Sequence, residues 1–530
     1  MTVERKRESK KLEISSAQFT VIFSLIITVL NFSFFNYIYQ NSNFIFTAII
    51  FIVFFTILLF VFTILFIPFL TKILAILLLF CGTVCVYFMQ SYNIVIDEII
   101  VASVINTDFI EIKSFLNFKI TLFIIFILLI CVFISKIKIN YRNLKVEIIA
   151  KIKILGICTV IIAIFAVWIG LSKDTKNFFK ANREIRMLNV PFYPIYSTIK
   201  YAQKLYLVKS KNFKILDNSP KFTNNNKNLL IFIVGESERS ANFSANGYTE
   251  NDTNFYSKTQ KNLISFTNFY ACAASTMISV PCMFSDLPRK DFDINTAKYR
   301  QNLFGILQKA GVKIFWFEKN GHDCKGACNQ IDARNVKIIS KTPFNKVSYY
   351  DNDVFDMAKT KIAELNDGEN AMIILHIRGS HGALYNQNYP LKFKKFTPTC
   401  DTNELKNCTY EQISNSYDNS IVYTDFLIND LINFIKKNSS FTQNALFFVS
   451  DHGESLGENG FYMHGLPFEK APIFQTHIGA MFYISDDLKA SKLNALKDKK
   501  FSHDNIFHTV LGYFGIQSTV YNKKMDILAF

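Results

Sequence analysis

Three apolar runs in the second half of the chain each end in a turn crowded with ionisable residues. Leu229 to Val234 leads into Gly235-Glu236-Ser237, Met372 to Ile377 into Gly379-Ser380-His381-Gly382, and Ala445 to Ser450 into Asp451-His452-Gly453-Glu454. Short apolar runs bounded by such turns and separated by helical stretches, from Asn228 onward, predict a βαβ sheet covered on both faces. The carboxyl ends of parallel strands open on one crevice, so Glu236, His381, Asp451 and His452 can meet although they are far apart in sequence. His464, in a glycine-rich loop, is a fifth candidate. Carboxylates mixed with imidazoles suit a borderline-soft divalent ion such as zinc. Any one of these residues alone reads more simply as structural; Asp451-His452 directly after an apolar strand points to a site.

The nucleophile candidate is Thr276, in Ala274-Ser275-Thr276-Met277-Ile278-Ser279-Val280-Pro281, at the start of an expected helix. A threonine hydroxyl is a poor nucleophile at neutral pH unless a metal favours its alkoxide and a helix amino terminus stabilises the charge. Ser275 or Thr276 could equally serve only to cap the helix. The spacing leaves both readings open.

The elements that must carry these groups occupy only part of the chain. Its 530 residues are half apolar and include 55 phenylalanines, and the long apolar runs lie almost entirely before Ser172. Five segments are long enough to cross a hydrocarbon core as helices of about 20 residues: Ala17 to Ile38, Phe44 to Ile67, Ile73 to Tyr92, Ile120 to Ile137 and Ile154 to Leu171. The first is too long for a removable signal peptide and lacks a convincing cleavage site. The net charge of +16 does not indicate nucleic acid. Its densest clusters, Arg5-Lys6-Arg7 with Lys10-Lys11 and Lys136 through Lys153, flank apolar spans, and no nucleic-acid-binding signature accompanies them.

Positive charge concentrates in cytoplasmic loops, so the amino terminus is expected in the cytoplasm and everything beyond Ser172 outside it. Three parts follow: a five-helix membrane domain over 1–172, an amphipathic interfacial linker over 173–225 rich in lysine, phenylalanine and tyrosine, and an extracytoplasmic catalytic domain over 226–530. The cysteines agree. Cys81, Cys85, Cys131 and Cys158 fall in apolar spans, whereas Cys272 with Cys282, Cys324 with Cys328, and Cys400 with Cys408 form three close pairs in the part placed in an oxidising compartment, where local disulfides are expected.

These motifs together resemble the phosphoethanolamine transferases of Gram-negative envelopes, including the lipid A enzymes of polymyxin resistance. The residues that carry the resemblance are Gly235-Glu236-Ser237 with Asn246-Gly247-Tyr248; Ser275-Thr276 with Ser279-Val280-Pro281-Cys282-Met283-Phe284-Ser285; Gly379-Ser380-His381-Gly382; and Asp451 through Gly460 leading to His464-Gly465. The stretch Glu318-Lys319-Asn320-Gly321-His322-Asp323 departs from the acidic, asparagine-rich stretch expected in the lipid A enzymes.

The resemblance implies a multi-pass protein of the inner membrane, in which five membrane helices carry a periplasmic α/β domain of the alkaline phosphatase/sulfatase type with a mixed, mostly parallel central sheet. It implies one zinc held by Glu236, Thr276, Asp451 and His452, with Thr276 also the nucleophile. His381 and His464 match positions that hold a second zinc or the substrate phosphate, and Lys325 matches a lysine near the phosphoethanolamine group. The implied donor is phosphatidylethanolamine and the implied acceptor lipid A or another envelope component. A glycerol-phosphate transferase of the lipoteichoic acid synthase type and a non-catalytic envelope sensor are the alternatives. The cysteine pairs and the intact set of ligands weigh against them.

Overall fold

The computed structural model describes residues 13–92, 94–105, 112, 117–208, 212–223, 225–321, 323–339, 349–365 and 368–530. The basic tail and His322 lie outside these. The described chain forms two compact units, one up to Val101 and over Phe118–Tyr201, the other from Ala202 to Phe530 with residues between 102 and 117.

In the first unit α1 (Ser16–Leu30), α2 (Phe32–Asn41), α3 (Phe44–Leu65), α4 (Leu70–Tyr92), α5 (Phe118–Lys136) and α6 (Leu144–Leu171) follow one another. Helices α3 to α6 are each long and apolar enough to span a membrane, and α1 with α2 makes a fifth span if the pair is counted as one. A helix satisfies all its backbone polar groups internally, which is the condition for crossing lipid.

The first expected span is therefore not one helix. It bends by 55° between α1 and α2, and the cause is Asn31. Its buried Nδ2 donates to the carbonyls of Ile27 at 2.8 Å and Val190 at 2.7 Å, while its Oδ1 accepts the Val190 N–H at 2.8 Å. A side chain that bonds into the ladder and reaches a distant backbone breaks the helical run. Phenylalanines fill the space between helices, as where Phe23 meets Phe62 edge-on at 5.2 Å. Beyond Ser172, α7 (Lys173–Ala181) and α8 (Phe192–Val208) follow. Phe178 packs edge-on against Phe46 at 5.0 Å.

The second unit is built on seven strands: β1 (Asn228–Gly235), β2 (Leu263–Ser265), β3 (Lys313–Glu318), β4 (Val336–Ile338), β5 (Ala371–His376), β6 (Gln443–Ser450) and β7 (Ala480–Ile484). Their order is β2-β7-β6-β1-β5-β3-β4. The five from β6 to β4 run parallel, and β7 lies antiparallel between β6 and β2. The sheet is thus mixed and mostly parallel. Every residue of β1 is buried, which is why it reads as an unbroken apolar run and not as an alternating one. Helix α9 (Thr276–Met283) and the 29-residue α10 (Tyr410–Asn438) complete the frame of the site.

Candidate active site

Register brings the ionisable turns together. Gly235 pairs with Ser450 and Val234 with His376, so β1, β5 and β6 end level with one another and release Glu236, His381 and Asp451-His452 at the same edge. Gly379 makes that approach possible. It sits at φ +51°, and a Cβ there would lie 2.8 Å from the Glu236 carbonyl. Ser237 also adopts a positive φ of 62°, a strained conformation of the kind that gathers at functional sites.

Glu236, Asp451 and His452 are fully buried. Thr276, the first residue of α9, sends its Oγ1 to 3.1 Å from Glu236 Oε2 and 3.2 Å from His452 Nε2. Ser275, at the N-cap, makes no side-chain capping bond. The hydroxyl of Thr276 is thus committed to the cluster, and the plain capping reading falls away. His452 Nδ1 lies 2.9 Å from the Gly453 carbonyl, which directs Nε2 inward. His452 Nε2 is also 3.3 Å from Glu236 Oε1 and from Asp451 Oδ2.

The donor set fits a divalent cation. Asp451 Oδ1 accepts the backbone N–H groups of Ser237 and His452, at 3.1 and 2.7 Å, whereas Oδ2 is buried with no hydrogen-bond partner. Such an orphan is costly unless a cation or water meets it. Burial, reinforced by the charge of Glu236, drives the Asp451 carboxyl well above its ordinary value. Burial pushes Glu236 up as well, but the charges of His452, His381 and His464 prevail and hold it below its usual range. Two carboxylates side by side out of water call for positive charge between them. Ligand atoms of Glu236, His452 and His464 also lie within 4.8 Å of one another.

The remaining candidates form a rim. The His464 ring lies tilted against that of His452 at 4.1 Å, with its Nδ1 2.7 Å from Glu454 Oε2. The His381 ring lies 5.8 Å from that of His464. Lys325 has its Nζ 3.6 Å from Asp323, on the wall of a cavity of about 170 Å³ shared with Pro281, Ser285 and Arg300. The three cysteine pairs are joined as expected. Cys272–Cys282 ties the segment before Thr276 to the last turn of α9, and Cys324–Cys328 closes the turn that holds Lys325.

Several further residues around the site were not given roles from the sequence. His503 is buried, accepts the Cys272 N–H on Nδ1 and faces the Ser450 carbonyl with Nε2, both at 3.0 Å, tying the segment that leads to Thr276 to the strand that carries Asp451. Glu454 joins His464 to the Tyr385 hydroxyl. Asn320, just beyond the end of β3, donates to Glu236 Oε2.

A mixed sheet whose strand ends bring Glu, Asp and His to a threonine at the start of a helix defines a catalytic domain of the sulfatase class, and residues 228–516 match the family model of that name. Residues 54–206 match the model described as phosphoethanolamine transferase EptA/EptB. The phosphoethanolamine transferase EptA of Escherichia coli K12 is 34% identical over 476 residues, covering 87% of this chain and 85% of its own. The solved integral membrane lipooligosaccharide phosphoethanolamine transferase A of Neisseria meningitidis superposes with a TM-score of 0.87 at 29% identity, covering 98% of this chain and 99% of that one. The periplasmic domain of EptC from Campylobacter jejuni is 41% identical over 60% of this chain and 97% of that one, with a TM-score of 0.55. This chain belongs to the phosphoethanolamine transferase family, and it is a multi-pass inner-membrane enzyme.

Proposed function

We propose that this enzyme moves phosphoethanolamine from phosphatidylethanolamine to lipid A, or to another lipopolysaccharide or envelope acceptor, through a phosphoethanolamine-threonine intermediate on Thr276. The observation that carries the reading is the position of the Thr276 hydroxyl, 3.1 Å from Glu236 and 3.2 Å from His452 beside the unpartnered Asp451 Oδ2. A zinc ion held by Glu236, Thr276, Asp451 and His452 would supply Lewis-acid stabilisation of phosphoryl charge and favour the deprotonated threonine.

Thr276 Oγ1 attacks the phosphorus of the donor, the Oγ–P bond forms and the P–O bond to diacylglycerol breaks. The Thr276 hydroxyl donates to Glu236 Oε2, which takes its proton as the Oγ–P bond forms and returns it when Thr276 is released. An imidazole on the rim, His464 or His381, protonates the departing diacylglycerol oxygen and is then free to take the proton of the acceptor as that oxygen attacks the same phosphorus and releases Thr276. Glu454 orients His464 for this exchange. Lys325 attracts the donor phosphate, and His381 and His464 can alternatively hold a second metal. With the amino terminus in the cytoplasm and the catalytic domain in the periplasm, a lipid donor presents its headgroup without leaving the bilayer.

The test supplies the detergent-solubilised enzyme with phosphatidylethanolamine labelled in its headgroup, digests it and looks by mass spectrometry for phosphoethanolamine on the peptide containing Thr276. The adduct is expected in the wild type and absent in Thr276→Ala and after chelation. A folded, zinc-loaded protein without the adduct would refute the mechanism and turn attention to a glycerol-phosphate donor.

A further inference from the structure

Strands β3 and β5 meet in register at Glu318 and His376, and both side chains are fully buried. His376 Nδ1 lies 2.8 Å from Glu318 Oε2, which also accepts the Trp316 indole N–H at 2.9 Å, while Glu318 Oε1 accepts the Asn320 backbone N–H at 2.8 Å. On the opposite edge of the ring, His376 Nε2 is 3.3 Å from Asn320 Nδ2, and the same nitrogen donates to Glu236 Oε2. The proposed reaction uses neither Glu318, His376 nor Asn320.

We propose that Glu318 and His376 are positioning residues: Glu318 fixes the tautomer of His376, and His376 in turn holds the Asn320 carboxamide with its nitrogen against Glu236. The atom assignment follows from donor and acceptor chemistry. A carboxylate can only accept, so the amide atom touching Glu236 must be nitrogen. The second hydrogen on that nitrogen points at His376 Nε2, which must present a lone pair. The ring proton then sits on Nδ1, where Glu318 accepts it. Burial favours that neutral ring, although the charges of Glu318, Asp451 and Glu236 pull the His376 pKa above its ordinary value. A second proton would have to sit on Nε2 against the Asn320 amide hydrogens, so the contact selects the neutral form.

The consequence falls on Glu236. Its Oε1 is held by the Ser237 hydroxyl at 2.7 Å and its Oε2 by Thr276 and Asn320. When Thr276 gives up its proton to act as nucleophile, Asn320 is the donor left on Oε2 and, with Ser237 on Oε1, fixes the rotation of the carboxylate. The groups that orient a metal ligand govern affinity as well as rate.

The inference rests on the reading of Glu236 as a zinc ligand, and its test compares substitutions that each keep a different half of the His376 contacts. Full-length protein in detergent is titrated with zinc against a competing chelator, and kcat and KM are measured with labelled phosphatidylethanolamine. His376→Gln keeps an acceptor near the Nε2 position and gives up Glu318, whereas His376→Asn keeps the Glu318 bond and gives up Asn320. Asn320→Ala and His376→Asn are expected to weaken zinc binding about 10- to 100-fold and to lower kcat with KM little changed, while His376→Gln recovers most of the loss. A merely structural buried pair predicts the reverse order. His376→Asn matching or exceeding His376→Gln, or Asn320→Ala binding zinc like the wild type, would overturn the inference and leave the transferase mechanism standing. A wild-type enzyme without zinc-dependent transfer would overturn both.

Discussion

His503 offers the sharpest quantitative prediction. It is 1% exposed, and burial, with a smaller push from the charge of His452, holds its pKa down at about 3. A histidine whose folded pKa lies below its unfolded value stabilises the fold fully above the unfolded pKa and loses that stabilisation as pH falls toward the folded one. With an unfolded pKa near 6.5, the slope is about 1.4 kcal/mol per pH unit, so acidification to about pH 4.5 removes about 2.7 kcal/mol.

His503→Phe strands the Cys272 N–H and the Ser450 carbonyl, which costs about 1–3 kcal/mol for each, or about 2–6 kcal/mol at neutral pH. The variant has no titrating ring to lose, so the gap between wild type and variant is expected to narrow by about 2.7 kcal/mol between about pH 7 and pH 4.5. Urea melts of the full-length protein followed by Trp316 emission read this directly, since Trp316 is buried beside Phe284 and Phe304 in the catalytic core. Acid effects on other groups cancel in the difference. A gap that stays constant with pH would refute the neutral, desolvated imidazole.

Gly379→Ala is expected to lose activity and at least about 1 kcal/mol of stability, because the new Cβ meets the Glu236 backbone at a left-handed φ; activity with a normal melting temperature would contradict it. Replacing Cys272 and Cys282 together by serine should lower stability by about 2–4 kcal/mol and depress kcat more than KM, checked by melting and kinetics with and without reductant. Burial pushes the Asp425 carboxyl up to about 6, so its contribution is complete below about pH 4 and fades as pH rises to about 6; Asp425→Asn should flatten the stability curve over that interval alone. Transfer is expected to vanish on chelation and to return with Zn²⁺ but not Mg²⁺, since imidazole with carboxylate suits the softer ion.

What could be read along the chain were the properties that depend on neighbours in sequence. A membrane span is a run of apolar residues, a parallel strand buried on both faces is a shorter run, and the turns after β1, β5 and β6 display Glu236, His381 and Asp451-His452 without reference to anything distant. The local cysteine pairs were legible for the same reason. The kink at Asn31 was not, because its partner is the backbone of Val190. Nor was the commitment of Thr276 to Glu236 and His452, which the spacing could not separate from helix capping. His503, Glu318, His376 and Asn320 look like ordinary polar residues until strand register and the return of the chain near its end set them beside the site. Sequence by itself determined the kinds of chemical group and the strand ends that release them. Only the tertiary structure decided which groups touch, because hydrogen bonds and ligand sets are fixed within tenths of an ångström by packing between segments that sequence order leaves far apart.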